Sequence, residues 1–102
     1  MTTITGQSFI AGQWLSPAGK VFHSFNPYTG ESFNSFNSCG PDEVDAALAA
    51  AHRAYAEMRD MDGSAIAGFL EAIADEIEAL GDVLLETCDA ETGLGLVRLT
   101  GE

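Results

Sequence analysis

Hydrophobic and polar positions follow two different rhythms along this chain. Over residues 1–38 the apolar side chains come in short groups separated by turn residues. Phe9-Ile10 and Gln13-Trp14-Leu15 flank Ala11-Gly12, where the glycine can take the positive φ that a tight hairpin needs. Ser16-Pro17-Ala18-Gly19 predicts a second turn. A strand from Val21 to Asn26 runs into Pro27-Tyr28-Thr29-Gly30, whose proline suits a β-turn position with φ near −65°. Glu31 to Asn37 reads as the return strand, although Phe33 and Phe36 stand three apart and a regular strand would put them on opposite faces.

After Cys39 the rhythm becomes helical. Pro41 suits a first helical residue, where no N–H is needed, and Asp42 and Glu43 suit the positive end of the helix dipole. Val44, Ala47, Leu48, Ala51, Tyr55 and Met58 then share one stripe. Beyond the Asp60-Met61-Asp62-Gly63 break, Ser64 can cap a second helix, in which Ile66, Phe69, Leu70, Ile73, Ile77 and Leu80 recur at spacings of three and four. Gly81 ends it, and Asp82 can cap a third helix through Val83, Leu84, Leu85 and Cys88, stopped by Gly93 and Gly95. Val97 to Glu102 is too short to be an element, yet it begins like one. The expected class is α+β: β-hairpins over 1–38, three helices over 39–95, and at 96–102 the start of a truncated element, together one incomplete domain.

Charge sharpens the division. Up to Cys39 the only charged residues are Lys20 and Glu31, whereas from Gly40 onward 15 acidic residues meet Arg53, Arg59 and Arg98 and supply the whole net charge of −12. Such a surface repels phosphate backbones and anionic lipid, which excludes nucleic acid and membrane as expected partners. The N-terminus Met1-Thr2-Thr3-Ile4-Thr5-Gly6 lacks the basic and apolar regions of a signal peptide, and no apolar run reaches the length of a membrane span. Cytoplasmic location with reduced Cys39 and Cys88 is the expectation.

Aromatics are skewed the other way, with seven of nine (Phe9, Trp14, Phe22, Phe25, Tyr28, Phe33, Phe36) in the first 36 residues. Acidic helices alone bury so many rings poorly, and large exposed apolar patches mark interfaces. The rings are therefore expected to pack on protein outside this chain, the alternative being cover by the alanine-rich stripe of the first helix.

Candidate chemistry is sparse. Gly93-Leu94-Gly95 opens like a dinucleotide fingerprint, but Arg98 stands where the third glycine belongs and a helix precedes it, so a helix stop is the reading. His23 and His52 lie 29 residues apart in different elements. Cys88 and Glu91 offer two ligand types on one helical turn, yet Cys88 falls on the apolar face with Leu84 and Leu85. Glu71, Asp75, Glu76 and Glu78 lie off the apolar stripe and read as a solvated face. No catalytic, cofactor-binding or metal-binding residue is assigned.

Taken in order, the pieces resemble the N-terminal part of the aldehyde dehydrogenase superfamily. Phe9-Ile10-Ala11-Gly12-Gln13-Trp14 is similar to F-I-x-G-x-W, and Asn26-Pro27-Tyr28-Thr29-Gly30-Glu31 to N-P-x-T-G-E. Glu43-Val44-Asp45-Ala46-Ala47 resembles a D-V-D-A-A helix, Leu70 with Ile73-Ala74-Asp75 and Ile77-Glu78 resembles L-x-x-I-A-D-x-I-E, and Glu91-Thr92-Gly93 resembles E-T-G. Leu94 departs from the lysine common after E-T-G, and Ile66 from an arginine usual in the second helix. Leu94 and the run Phe69 to Ile77 look like the branch that oxidises 2-oxoglutarate semialdehyde (2,5-dioxopentanoate).

The resemblance implies a partial piece of an α/β cofactor-binding domain, closing that domain's outer surface, in a homo-oligomeric parent enzyme using NAD or NADP. In such a parent a cysteine thiolate attacks the aldehyde and hydride passes to the nicotinamide; a glutamate-activated water then hydrolyses the thioester. The residues responsible are implied to lie beyond position 102, and neither Cys39 nor Cys88 matches the nucleophile's motif. A monovalent cation site, built partly from backbone carbonyls near Ser24-Phe25 and near Glu91, is implied as well. The chain alone is thus expected to bind no cofactor and to turn over no aldehyde, its partner being the remainder of the parent or a complementary fragment. The alternative is an autonomous acidic interaction module of the acyl-carrier type, for which Asp62-Gly63-Ser64-Ala65 lacks the required D-S-L.

Overall fold

In the computed structural model, which describes residues 4–102, the turn chemistry of the first part is realised almost as the sequence predicts. Strands β1 (Ser8–Ile10) and β2 (Gln13–Leu15) form an antiparallel hairpin. Its two connecting residues, Ala11 and Gly12, both have positive φ, 53° and 79°. That is the mirror-image turn whose twist matches the strands, and Ala11 takes a conformation that glycine alone was expected to supply. Phe9 pairs with Trp14 across the hairpin, their ring centroids 5.0 Å apart.

Strands β3 (Val21–Phe25) and β4 (Ser32–Asn37) form a second antiparallel hairpin. Phe22 faces Phe36 with ring centroids 5.5 Å apart and planes 24° from parallel. Between the pairs His23–Ser35 and Phe25–Ser32, β3 advances two residues while β4 advances three. The extra residue is a β-bulge, which resets the alternation and removes the parity objection to Phe33 and Phe36 in one strand. Ser24 sits opposite it, its Oγ accepting the Asn34 N–H at 3.1 Å. The connecting turn is closed by Asn26: its Oδ1 accepts from Tyr28 N at 2.9 Å and its carbonyl from Gly30 N at 2.7 Å.

Helices α1 (Pro41–Met58), α2 (Gly63–Ala79) and α3 (Asp82–Thr92) follow. Pro41 opens α1, and Glu43 Oε2 reaches back to the Gly40 N–H at 3.1 Å. Two expected caps differ. Asp62, not Ser64, caps α2: its Oδ1 accepts from Ala65 N at 2.9 Å and from the Ser64 hydroxyl at 2.8 Å. A carboxylate is the stronger acceptor and places negative charge at the helix's positive end. Asp82 is the first residue of α3, and the capping position is Gly81, at φ 56° and ψ −134°. With α2 ending immediately before, the chain must reverse through a conformation closed to most side chains. The tail, expected to be too short for an element, forms the six-residue helix α4 (Leu96–Gly101), braced by Arg98 Nε on Glu102 Oε1 at 3.0 Å.

The elements do not close around a core. The Cα radius of gyration is 16.9 Å, against about 13 Å for a compact domain of this length. Among the described residues no hydrophobic side chain is buried, and Pro17 alone falls in the buried class. The second hairpin and α4 pack on α3, and α1 approaches β1, but α2 packs extensively on no other element.

Candidate functional site

The best-defined tertiary junction joins the second hairpin to the C-terminal end of α3. Glu91 Oε1 accepts from Ser24 Oγ and from Asn34 Nδ2, both at 3.0 Å. One carboxylate thus holds the residue opposite the bulge and a residue within it. A turn away, the Tyr28 hydroxyl donates to the Gly93 carbonyl at 3.1 Å and lies 3.4 Å from Asp89 Oδ1, which also accepts from Gly95 N at 2.9 Å. Thr92 Oγ1 donates back to the Cys88 carbonyl at 2.7 Å. Gly93, at φ 69°, ends α3 in the left-handed conformation, and a Cβ there would stand 2.9 Å from Pro27 Cγ. Asn26-Pro27-Tyr28 and Glu91-Thr92-Gly93, two motifs singled out separately in the sequence, are therefore each other's packing partners.

Glu91 is turned to the hairpin, away from any pairing with Cys88 as a ligand. Cys88 is half-buried in α3, and Cys39 is exposed with Sγ 3.4 Å from Ser8 Oγ; both are free thiols. His23 and His52 lie exposed on β3 and α1, and no three His, Cys, Asp or Glu residues gather among the described residues. Asp62 is held below its ordinary carboxylate pKa by the Ala65 N–H and then by the Ser64 hydroxyl, a helix-capping effect.

At Gly93-Leu94-Gly95 the Gly95 N–H already binds Asp89, and that carboxylate repels a phosphate, so the segment does not fit a dinucleotide. Around Glu91 a cation would face the amide protons of Asn34 and the hydroxyl proton of Ser24. No buried polar side-chain atom among the described residues lacks a partner. These side chains do not fit a cation, and the implied site rests instead on backbone carbonyls near Ser24-Phe25 and Glu91.

What the fold leaves available is apolar surface. Of the aromatics in the hairpins, Phe9, Trp14, Phe22, Phe25, Tyr28 and Phe33 are each about half exposed or more, and only Phe36 is less so. The α1 stripe is itself exposed at Val44, Leu48 and Tyr55, so it does not cover these rings. Along α2, Phe69, Leu70, Ile73 and Ile77 are exposed, and Phe69, Ile73, Ile77 and Leu80 line an open groove of about 450 Å³. Composition signalled the uncovered hairpins; that α1 and α2 would stand apart carried no local signal.

The model of the aldehyde dehydrogenase family matches residues 14–102. The chain belongs to the aldehyde dehydrogenase family. It is 39% identical over 101 residues to alpha-ketoglutaric semialdehyde dehydrogenase 2 of Azospirillum brasilense, covering 97% of this chain and 19% of that protein. It is 37% identical to alpha-ketoglutaric semialdehyde dehydrogenase of Acinetobacter baylyi, covering 100% of this chain and 20% of that protein. With acetaldehyde dehydrogenase 2 of Cupriavidus necator it shares 42% identity over 74 residues, 72% of this chain and 15% of that protein. The crystal structure of an NAD-dependent benzaldehyde dehydrogenase from Corynebacterium glutamicum superposes with a TM-score of 0.82 at 22% identity, over 93% of this chain and 21% of that one. The chain thus spans about a fifth of the length of the relatives covering it most fully, and has the fold of one part of such an enzyme. The described residues contain no helix long and apolar enough to cross a membrane.

Proposed function

We propose that this chain acts as a structural segment at the N-terminal side of an NAD(P)-dependent aldehyde dehydrogenase, contributing scaffold and no catalytic group. The observation that carries this reading is that no hydrophobic side chain is buried among the described residues, although nearly half the sequence is hydrophobic. A chain that exposes its aromatic hairpins and its helix stripes to water gains little from folding alone. Residues 1–38, 39–95 and 96–102 are then successive parts of one domain completed by further protein. The parent is a cytoplasmic homo-oligomer that supplies the nucleophilic cysteine and the nicotinamide site.

For the substrate, the relatives named for alpha-ketoglutaric semialdehyde favour 2-oxoglutarate semialdehyde. The match to an acetaldehyde dehydrogenase gives a second reading, a short aliphatic aldehyde.

Urea unfolding followed by the fluorescence of Trp14, the single tryptophan, tests the structural role. A gradual change without a cooperative step is expected. One sharp transition, with a slope of about 1 kcal/mol per molar urea, would identify a self-sufficient domain and overturn the reading. For the parent enzyme, kcat/KM with 2-oxoglutarate semialdehyde is expected to exceed that with acetaldehyde. The reverse order would select the second reading.

A further inference from the structure

Helix α4 lacks the means to order itself. Its six residues fall well short of the roughly 12 at which an isolated helix becomes even marginal. Gly95 offers it no side-chain cap, and the exposed Arg98–Glu102 pair recovers only part of the shortfall. α4 packs on α3, but it is joined to α3 through Gly93 and Gly95, at φ 69° and 90°, and glycine has other conformations open to it. The linker is tied from two sides. From α3, the Asp89 carbonyl accepts from Gly93 N at 2.8 Å and its Oδ1 from Gly95 N at 2.9 Å. From the second hairpin, 65 residues earlier, the Tyr28 hydroxyl donates to the Gly93 carbonyl at 3.1 Å. Rotation about the Gly93 Cα–C bond, which would redirect α4, carries that carbonyl away from Tyr28.

We propose that the second hairpin and α4 form one conformational unit. Docking of the Asn26 to Glu31 turn through Tyr28 holds the linker and keeps α4 helical, and lifting the turn lets α4 fray. Tyr28 is a positioning residue in this unit, acting through the Gly93 carbonyl. The coupling is internal to the chain and does not depend on what completes it. It is also reciprocal: the free energy by which the docked turn favours the α4 helix is the same by which the helix favours docking. α2, which packs extensively on no other element, lies outside the unit.

The test reads backbone amide exchange by NMR in the full chain. Leu99 N, bonded to the Gly95 carbonyl at 3.1 Å, reports on α4, and Gly95 N reports on the linker. Tyr28→Phe keeps the ring and removes the donor. Exchange at Gly95 and Leu99 is then expected to rise about fivefold, with α2 amides unchanged. Asn26→Ala, which removes the acceptor of Tyr28 N within the turn, should act the same way. Val97→Gly probes the reverse direction. That side chain is 93% exposed, so the change weakens the α4 helix alone, and the Tyr28 amide is expected to exchange about twofold faster. Unchanged exchange at Gly95 and Leu99 in Tyr28→Phe overturns the inference, α4 then being ordered by α3 alone. An unmoved Tyr28 amide in Val97→Gly does the same. Equal acceleration in α2 overturns it as general loosening, and so does a Leu99 amide that is unprotected in the unsubstituted chain.

Discussion

The second hairpin with α3, and the helices α1 and α2, represent two ways of being structured within one chain. At the hairpin the elements are tied by specific polar contacts: Glu91 to Ser24 and Asn34, and Tyr28 to Gly93, across 57 to 67 residues of sequence. α1 and α2 have good local signals, with a proline start, an acidic first turn in α1, a carboxylate cap on α2 and clear apolar stripes. Yet α2 packs extensively on nothing. Local sequence is enough to specify a helix, whereas position requires a partner, and most helical stability in proteins comes from the packed stripe.

Where that contrast is real, substitutions should separate by context. In the proposed parent enzyme, Phe69→Ala is expected to cost about 3–5 kcal/mol by leaving a cavity under α2. In this chain alone, where Phe69 is 52% exposed, the same change should move stability by less than about 0.5 kcal/mol. Denaturant melts of the parent and the helix content of this chain by circular dichroism check this, and a large loss of helix in the chain alone would show that α2 is already packed.

Next in size is Glu91→Ala. Two hydrogen bonds to one carboxylate are lost, which should weaken hairpin docking by about 2 kcal/mol and speed exchange of the Asn34 amide by about 30-fold. Amides of α2 should exchange unchanged. A matching rise in α2 would mean that the two regions are coupled after all.

Gly93→Ala should cost about 1–2 kcal/mol, because the new side chain adopts a left-handed conformation and meets Pro27. The same hydrogen-exchange readout should place the loss at the Asn26 to Glu31 turn.

The smallest effect belongs to Asp62. Its pKa is depressed in the folded chain, so the capping contribution is fully present above the ordinary value of 3.8 and is lost as pH falls through the lower folded value. Helicity by circular dichroism should therefore decline below about pH 4, and Asp62→Asn should flatten that part of the profile. An unchanged profile would show that Ser64 can cap α2 unaided.

Element types were largely legible without coordinates. Period and punctuation placed both hairpins and the first three helices within a residue or two, because turns and caps are local events governed by φ, by side-chain acceptors and by apolar spacing. The same reading chose Ser64 over Asp62 and Asp82 over Gly81. Neighbouring residues of similar capping chemistry differ only in which one the backbone turn brings within reach. The short helix α4 was missed as an element because its Arg98–Glu102 brace and its packing on α3 add what six residues alone do not supply.

The sequence by itself determined where this chain bends, which segments coil, and that its aromatic half carries more apolar surface than the acidic half can cover. Tertiary structure decided the bulge in β4, the left-handed Ala11, and the pairing of Asn26-Pro27-Tyr28 with Glu91-Thr92-Gly93. The last of these depends on groups more than 50 residues apart meeting within about 3 Å, as Asn34 and Glu91 do. No local preference of φ, cap or stripe encodes such a meeting, since each motif is satisfied in isolation by many arrangements and only the docked one satisfies both.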